Sequence, residues 1–120
     1  MTNKNTDRIL LVEDSKTLSK LIGLKIEMEL SIDVDIAYSL SEAELFTKKY
    51  TYTLAILDLS LPDAPNGEIV DVMIGKGVPS IVLTASIDKV FREAILQKEI
   101  IDYVHKGGVD DINYVIEIIR

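Results

Sequence analysis

Glu13, Asp14, Asp58, Thr84 and Lys106 stand at or just beyond the ends of short apolar runs, Ile9-Leu10-Leu11-Val12, Leu54-Ala55-Ile56-Leu57, Ile81-Val82-Leu83 and Tyr103-Val104. Three carboxylates, a hydroxyl and an ammonium gathered from separate runs suit phosphoryl transfer, which asks for positioning and charge neutralisation more than for a histidine-type base. Two like charges about 4 Å apart repel by roughly 4 kcal/mol at an effective dielectric near 20. Gathered carboxylates therefore require cations. Lys106 supplies one, and a hard divalent ion bound by oxygens supplies the rest; Mg²⁺ fits best, because few protein ligands and several waters satisfy it. Asp58 would be the nucleophile.

The elements that must position these groups follow from patterning. Leu54 to Leu57 runs straight into Asp58, and Pro62 stops any extension. That is the pattern of an interior parallel strand covered on both faces, whose last residue emerges at the carboxyl edge where open α/β sheets bind ligands. Arg8 to Val12 repeats the logic and ends in Glu13-Asp14-Ser15. Helical spacing follows, with Leu18, Leu21, Ile22 and Ile26 on one stripe and Asp14 or Ser15 as the cap. Asp33-Val34-Asp35-Ile36-Ala37 alternates like a strand near the sheet edge. Ser39 to Glu42 has the spacing of a capping box, with Glu42 reaching back to the backbone of Ser39, and opens a helix through about Lys49.

Further helices are predicted over Gly67 to Ile74, over Asp88 to Lys98 with Phe91, Ala94 and Ile95 inward, and over Asp110 to Arg120 with Ile112, Val115, Ile116 and Ile119 inward. Strands are predicted over Val78 to Leu83 and Ile100 to Val104. Tyr114 and Ile118 form an i,i+4 pair on another side, either a partner surface or an apolar margin of the core. The alternation gives an α/β fold, a doubly wound five-stranded parallel sheet built from five βα units with right-handed crossovers.

The chain has 120 residues and 48% hydrophobic content, enough for one domain over 8–120 after a flexible polar segment at 1–7. A net charge of −7 argues against direct binding to nucleic acid or acidic membranes. Cysteine is absent, which excludes disulfides and thiolate metal sites. No leader-like or membrane-spanning apolar run occurs, so the expected location is cytoplasmic.

In this order and context the chain resembles, over nearly its whole length, the receiver domain of two-component response regulators. The resemblance rests on Glu13-Asp14, on Leu57-Asp58-Leu59-Ser60-Leu61-Pro62, on Thr84-Ala85, and on Tyr103 three residues before Lys106. It implies a flavodoxin-like receiver fold in which Asp14 and Asp58 ligate Mg²⁺ directly with the Ser60 carbonyl, while Glu13 acts largely through a metal-bound water. Lys106 and Thr84 would hold phosphoryl oxygens of a phosphorylated Asp58, helped by the amides of Leu59 and Ala85. A histidine kinase or histidine phosphotransfer protein would be the donor. Phosphorylation would draw Thr84 toward the site and let Tyr103 swing inward, switching the helix 4, strand 5 and helix 5 face toward an output domain, a partner protein or a homodimer. Small residues at Ser60 and Ser86 imply relatively unhindered autodephosphorylation.

Rival functions fit the residues less well. A non-phosphorylated interaction module of the same fold needs none of the constellation. A haloacid-dehalogenase-type phosphatase wants a second aspartate where Ser60 stands, and a flavin or nucleotide binder would meet negative charge in Glu13-Asp14-Ser15. Two departures from the family pattern are visible. Gly107-Gly108 replace the usual proline after the lysine, leaving the geometry of the Lys106–Gly107 bond open. The loop from Pro62 to Gly67 is one residue longer than is common, and is expected to bulge outward.

Overall fold

Apolar runs and amphipathic stretches alternate in the fold as they do in the sequence. The structure, a computed structural model, describes residues 7–86, 88–107 and 109–120. The element order is β1 (Arg8–Val12), α1 (Lys16–Leu30), β2 (Asp33–Ala37), α2 (Leu40–Lys49), β3 (Leu54–Leu57), α3 (Glu68–Gly75), β4 (Ser80–Thr84), α4 (Lys89–Leu96), β5 (Asp102–His105) and α5 (Val109–Ile119). Apart from Asp7, the segment expected to be flexible lies outside the described residues, as does Gly108.

All strand pairs are parallel, in the order β2-β1-β3-β4-β5. The chain steps outward from β1 to β2 and then back across to β3, so the order reverses between β1 and β3. Ligand crevices of open α/β sheets form at the carboxyl ends of the strands flanking such a reversal. Val12 is paired with Leu57 across it, which sets Glu13 beside Asp58.

The core forms two clusters on opposite faces of the sheet, divided by the period-two alternation of the strands. Leu10, Val12, Ala55, Leu57 and Val82 face α2, α3 and α4. Ile9, Leu11, Ile56, Ile81 and Leu83 face α1 and α5. The predicted stripes are corrected at two places. On α1, Leu21 is 55% exposed and Ser19 is fully buried. Ser19 satisfies its hydroxyl by donating to the Lys16 carbonyl at 3.1 Å, and a Cβ on neighbouring Gly23 would stand 3.4 Å from Ile36. Small residues thus let α1 lie close on β2 and rotate its buried face away from Leu21. On α4, Ala94 is exposed, and the helix is attached through buried Ile95 and half-buried Phe91 while its other residues face solvent.

Caps follow the predicted chemistry with one shift. Ser39 Oγ accepts from the Glu42 amide at 3.2 Å, but Glu42 accepts from the amide of Tyr38 at 2.7 Å, one residue earlier than Ser39. At the exposed edge, Glu27 accepts from the β2 amide of Val34 at 3.1 Å and so covers one donor open to strand addition.

The long loop after β3 turns its tips outward as expected, with Pro62, Asp63, Pro65 and Asn66 exposed. It is nevertheless tied down. Leu61 and Ala64 are buried and exchange two backbone hydrogen bonds of 3.2 Å. Asp63 accepts from the amides of Leu40 and Ser41 at 2.8 and 3.0 Å, capping α2 from a distant loop. Those backbone hydrogen bonds hold the Asp63 carboxyl below its usual pKa. Replacing Asp63 with Ala should therefore speed hydrogen exchange of the Leu40 and Ser41 amides selectively; unchanged protection there would show that the cap contributes nothing.

Gly67 ends the loop at φ 77° and caps α3. A Cβ there would meet Phe91 at 3.0 Å and Ile95 at 3.2 Å, so both the dihedral and the close approach of α4 require glycine.

Candidate functional site

Because the strands are all parallel, their carboxyl ends deliver the chemistry-bearing residues to one edge. Glu13 and Asp58 are only 2% and 6% exposed, whereas Asp14 is open to solvent. The amide of Asp58 donates to the Val12 carbonyl at 2.9 Å, continuing the β1–β3 ladder one step past β3 and fixing where its side chain emerges. Lys106 reaches over from the end of β5. Its Nζ lies 2.6 Å from Glu13 Oε1 and 3.3 Å from Asp58 Oδ2. Glu13 Oε2 accepts from the Ser15 amide at 3.0 Å, so both oxygens of this carboxylate are engaged, and the Ser60 amide makes a long 3.3 Å bond to Asp58 Oδ1.

Carboxylate oxygens of Glu13, Asp14 and Asp58 all lie within 4.8 Å of one another, a group that can hold a metal ion. Three carboxylates against one ammonium leave two formal negative charges in excess. Burial pushes the Glu13 carboxyl above its ordinary pKa, and the Asp58 charge adds to this, while the Lys106 hydrogen bond and the Ser15 amide oppose it. For Lys106, burial pulls the ammonium down, but the hydrogen bond to Glu13 and the charges of Asp58 and Glu13 outweigh it and raise the pKa. The site thus favours positive charge. An all-oxygen donor set with one exposed member, Asp14, fits a hard divalent cation that keeps water ligands.

Thr84 is 1% exposed at the end of β4. Its carbonyl accepts from the Lys106 amide at 2.7 Å, placing it beside the lysine, and its hydroxyl accepts from the Ser86 amide at 3.1 Å. Leu59 is buried, and its carbonyl accepts from the Gly67 amide at 3.0 Å, whereas Ala85 is exposed. No described peptide bond is cis, and His105, beside the lysine, is exposed.

Tyr103 is half-buried and packs against the cluster that contains Ile95. Its hydroxyl is buried and has no hydrogen-bond partner among the described residues. Leaving such a group unpaired costs about 1–3 kcal/mol. The guanidinium of Arg92 lies 5.7 Å from the ring centroid. Asp102, which sequence reading did not single out, accepts from the Tyr103 amide at 2.7 Å and from the Tyr114 hydroxyl at 2.6 Å. Tyr114 is therefore tied to β5, while Ile118 packs against the α1 and α5 side of the core. The Arg92–Tyr103 and Tyr114–Asp102 contacts join different elements, and no local pattern announces them.

Residues 9–117 match the family model of the response regulator receiver domain. The chain belongs to that family. A curated relative, the response regulator ArlR of Staphylococcus saprophyticus, is 35% identical over 100 residues, covering 82% of this chain and 45% of the relative. A solved two-component response regulator with a GGDEF domain is 35% identical with a TM-score of 0.81, covering 92% of this chain and 44% of that one. The CheY-like receiver domain protein of Methanospirillum hungatei is 22% identical with a TM-score of 0.83, covering 96% of this chain and 91% of that one, and it supports the fold. This receiver domain thus spans less than half the length of the first two. Among its described residues no helix is long and apolar enough to cross a membrane.

Proposed function

We propose that this receiver domain takes a phosphoryl group onto Asp58 from a histidine kinase or histidine phosphotransfer protein, with Mg²⁺ at Glu13, Asp14, Asp58 and the Ser60 carbonyl. The observation that carries the reading is the buried Asp58 carboxylate held 3.3 Å from Lys106, within a carboxylate cluster that can hold a metal. In the forward step an Asp58 oxygen attacks phosphorus and the P–N bond of the phosphohistidine breaks. The imidazole nitrogen leaves with the bonding pair and takes up a proton. In hydrolysis a water attacks the same phosphorus, the bond to Asp58 breaks, and phosphate departs with the carboxylate restored. The bound ion supplies charge neutralisation at the phosphoryl oxygens.

Lys106 is placed to leave Glu13 for a phosphoryl oxygen, since its ammonium already lies between the two buried carboxylates. The Thr84 hydroxyl would exchange the Ser86 amide for a second phosphoryl oxygen, which moves the loop after β4, while the amides of Leu59 and Ala85 would complete the cradle. Exposed Ser60 and half-buried Ser86 leave water a route to phosphorus. The switch is then read by the α4, β5 and α5 face, where Val90 is 81% and Ile101 47% exposed. An output domain, a partner protein or a second copy would cover it.

Incubation with acetyl phosphate with and without Mg²⁺, followed by intact mass measurement, tests the proposal. One Mg²⁺-dependent phosphoryl adduct that decays after the donor is removed is the expected result. No adduct with Mg²⁺ present would overturn it.

A further inference from the structure

Among the described residues Arg92 makes no ion pair, and its guanidinium lies over the ring of Tyr103. Arg92 projects from α4, whose attachment to the rest of the domain rests on Phe91 and Ile95. The Tyr103 ring packs against the same cluster as those two residues, and its hydroxyl is buried without a partner. A tyrosine keeps such a position only when other contacts outweigh the unpaired hydroxyl. Two are present: the cation over the ring, and the packing of the ring against the cluster that holds Phe91 and Ile95, while beside it Asp102 accepts from the Tyr103 main-chain amide and from the Tyr114 hydroxyl. The Tyr103 ring thus connects α4 to β5, and the Asp102 carboxylate connects β5 to α5.

We infer that Arg92 is a positioning residue for the switch, whose guanidinium over the Tyr103 ring holds that ring inward before any phosphoryl group arrives, so the resting domain is biased toward the inward state. The inference deepens the proposed function and rests on the reading, implied by the family resemblance, of Tyr103 as the switch residue of that phosphoacceptor site. Its consequence is an input sensitivity set on α4. A ligand that favours the inward state binds in proportion to the fraction of molecules already there. Removing a partly exposed cation from the face of a ring shifts that balance by about two- to fivefold.

The test uses the full chain with ¹³C-labelled tyrosine rings, with the Tyr103 resonance assigned through Tyr103→Phe. Fluoroberyllate with Mg²⁺ serves as the phosphoryl mimic. In the free protein, Arg92→Ala and Arg92→Met should move the Tyr103 resonance away from its fluoroberyllate-bound position, whereas Arg92→Lys should keep it near wild type. The half-saturating fluoroberyllate concentration should rise about two- to fivefold in the Ala and Met variants. Superimposable Tyr103 resonances in all free proteins would overturn the inference. So would a wild-type ring that shifts on ligation as far as the ring of Arg92→Ala. If fluoroberyllate leaves the Leu59 amide of the wild type unmoved, the phosphoacceptor reading fails, while the free-protein comparison still decides the role of Arg92.

Discussion

Replacing Asp58 with Asn should abolish the Mg²⁺-dependent adduct with acetyl phosphate while leaving the fold intact. Asparagine has the same shape, and its carbonyl oxygen can still accept from the Ser60 amide or from Lys106. What it lacks is a charged oxygen with a free pair to attack phosphorus, and an amide is a poor substitute. It also removes one of two like charges from a buried pair, so the urea midpoint should equal or exceed that of the wild type. That second measurement separates a lost nucleophile from a lost fold. The neighbouring carboxylates are poor replacements. Glu13 has both oxygens bonded, and Asp14 stands in solvent outside the buried crevice. An adduct of wild-type yield on Asp58→Asn would place the phosphoacceptor elsewhere and end the present assignment.

The legible part of this site was carried by residues that follow buried strands. A strand covered on both faces reads as an apolar run, and the polar residue that ends it must emerge at the carboxyl edge. Glu13, Asp58, Thr84 and Lys106 were therefore placed together by strand parallelism alone, and β1, β2 and β3 fell on their predicted residues. Patterning misled where the buried face is built from small residues. Ser19 and Gly23 carry little hydrophobic signal, yet they let α1 approach β2 and leave Leu21 outside. It was silent on contacts between distant segments. Asp63 capping α2, Tyr114 donating to Asp102, and Arg92 over Tyr103 each depend on tertiary placement. The buried Tyr103 hydroxyl is likewise illegible in the sequence, because the resemblance implies a moving tyrosine without giving its resting position.

Replacing Lys106 with Met should destabilise the metal-free protein by about 3 kcal/mol at neutral pH, since breaking a buried pair strands the remaining charge. Glu13, 2% exposed, loses the 2.6 Å bond that offsets its burial and keeps only the Ser15 amide. The pH dependence follows from the sign of the shift. The Glu13 carboxyl is raised above 4.5 in the folded protein, so the folded state binds its proton more tightly than the unfolded chain does. Its stabilising contribution is present below that value and is lost as pH rises through the folded pKa. Removing the Lys106 hydrogen bond, which opposes the shift, raises that pKa further and extends the window of loss upward. The deficit of Lys106→Met should therefore shrink as pH falls toward 4.5 and Glu13 is neutralised in both proteins. Lys106, raised above 10.5, stabilises the wild type below that value, and this contribution is lost as pH rises through its folded pKa. The same substitution removes the internal cation that competes for the carboxylates. Mg²⁺ should then bind the variant more tightly and raise its melting temperature more than that of the wild type, a ligand at one hundred times its Kd stabilising by about 2.7 kcal/mol. Equal stability of the two proteins in EDTA, or equal Mg²⁺-induced shifts, would show that Lys106 neither neutralises Glu13 nor occupies the place of the metal.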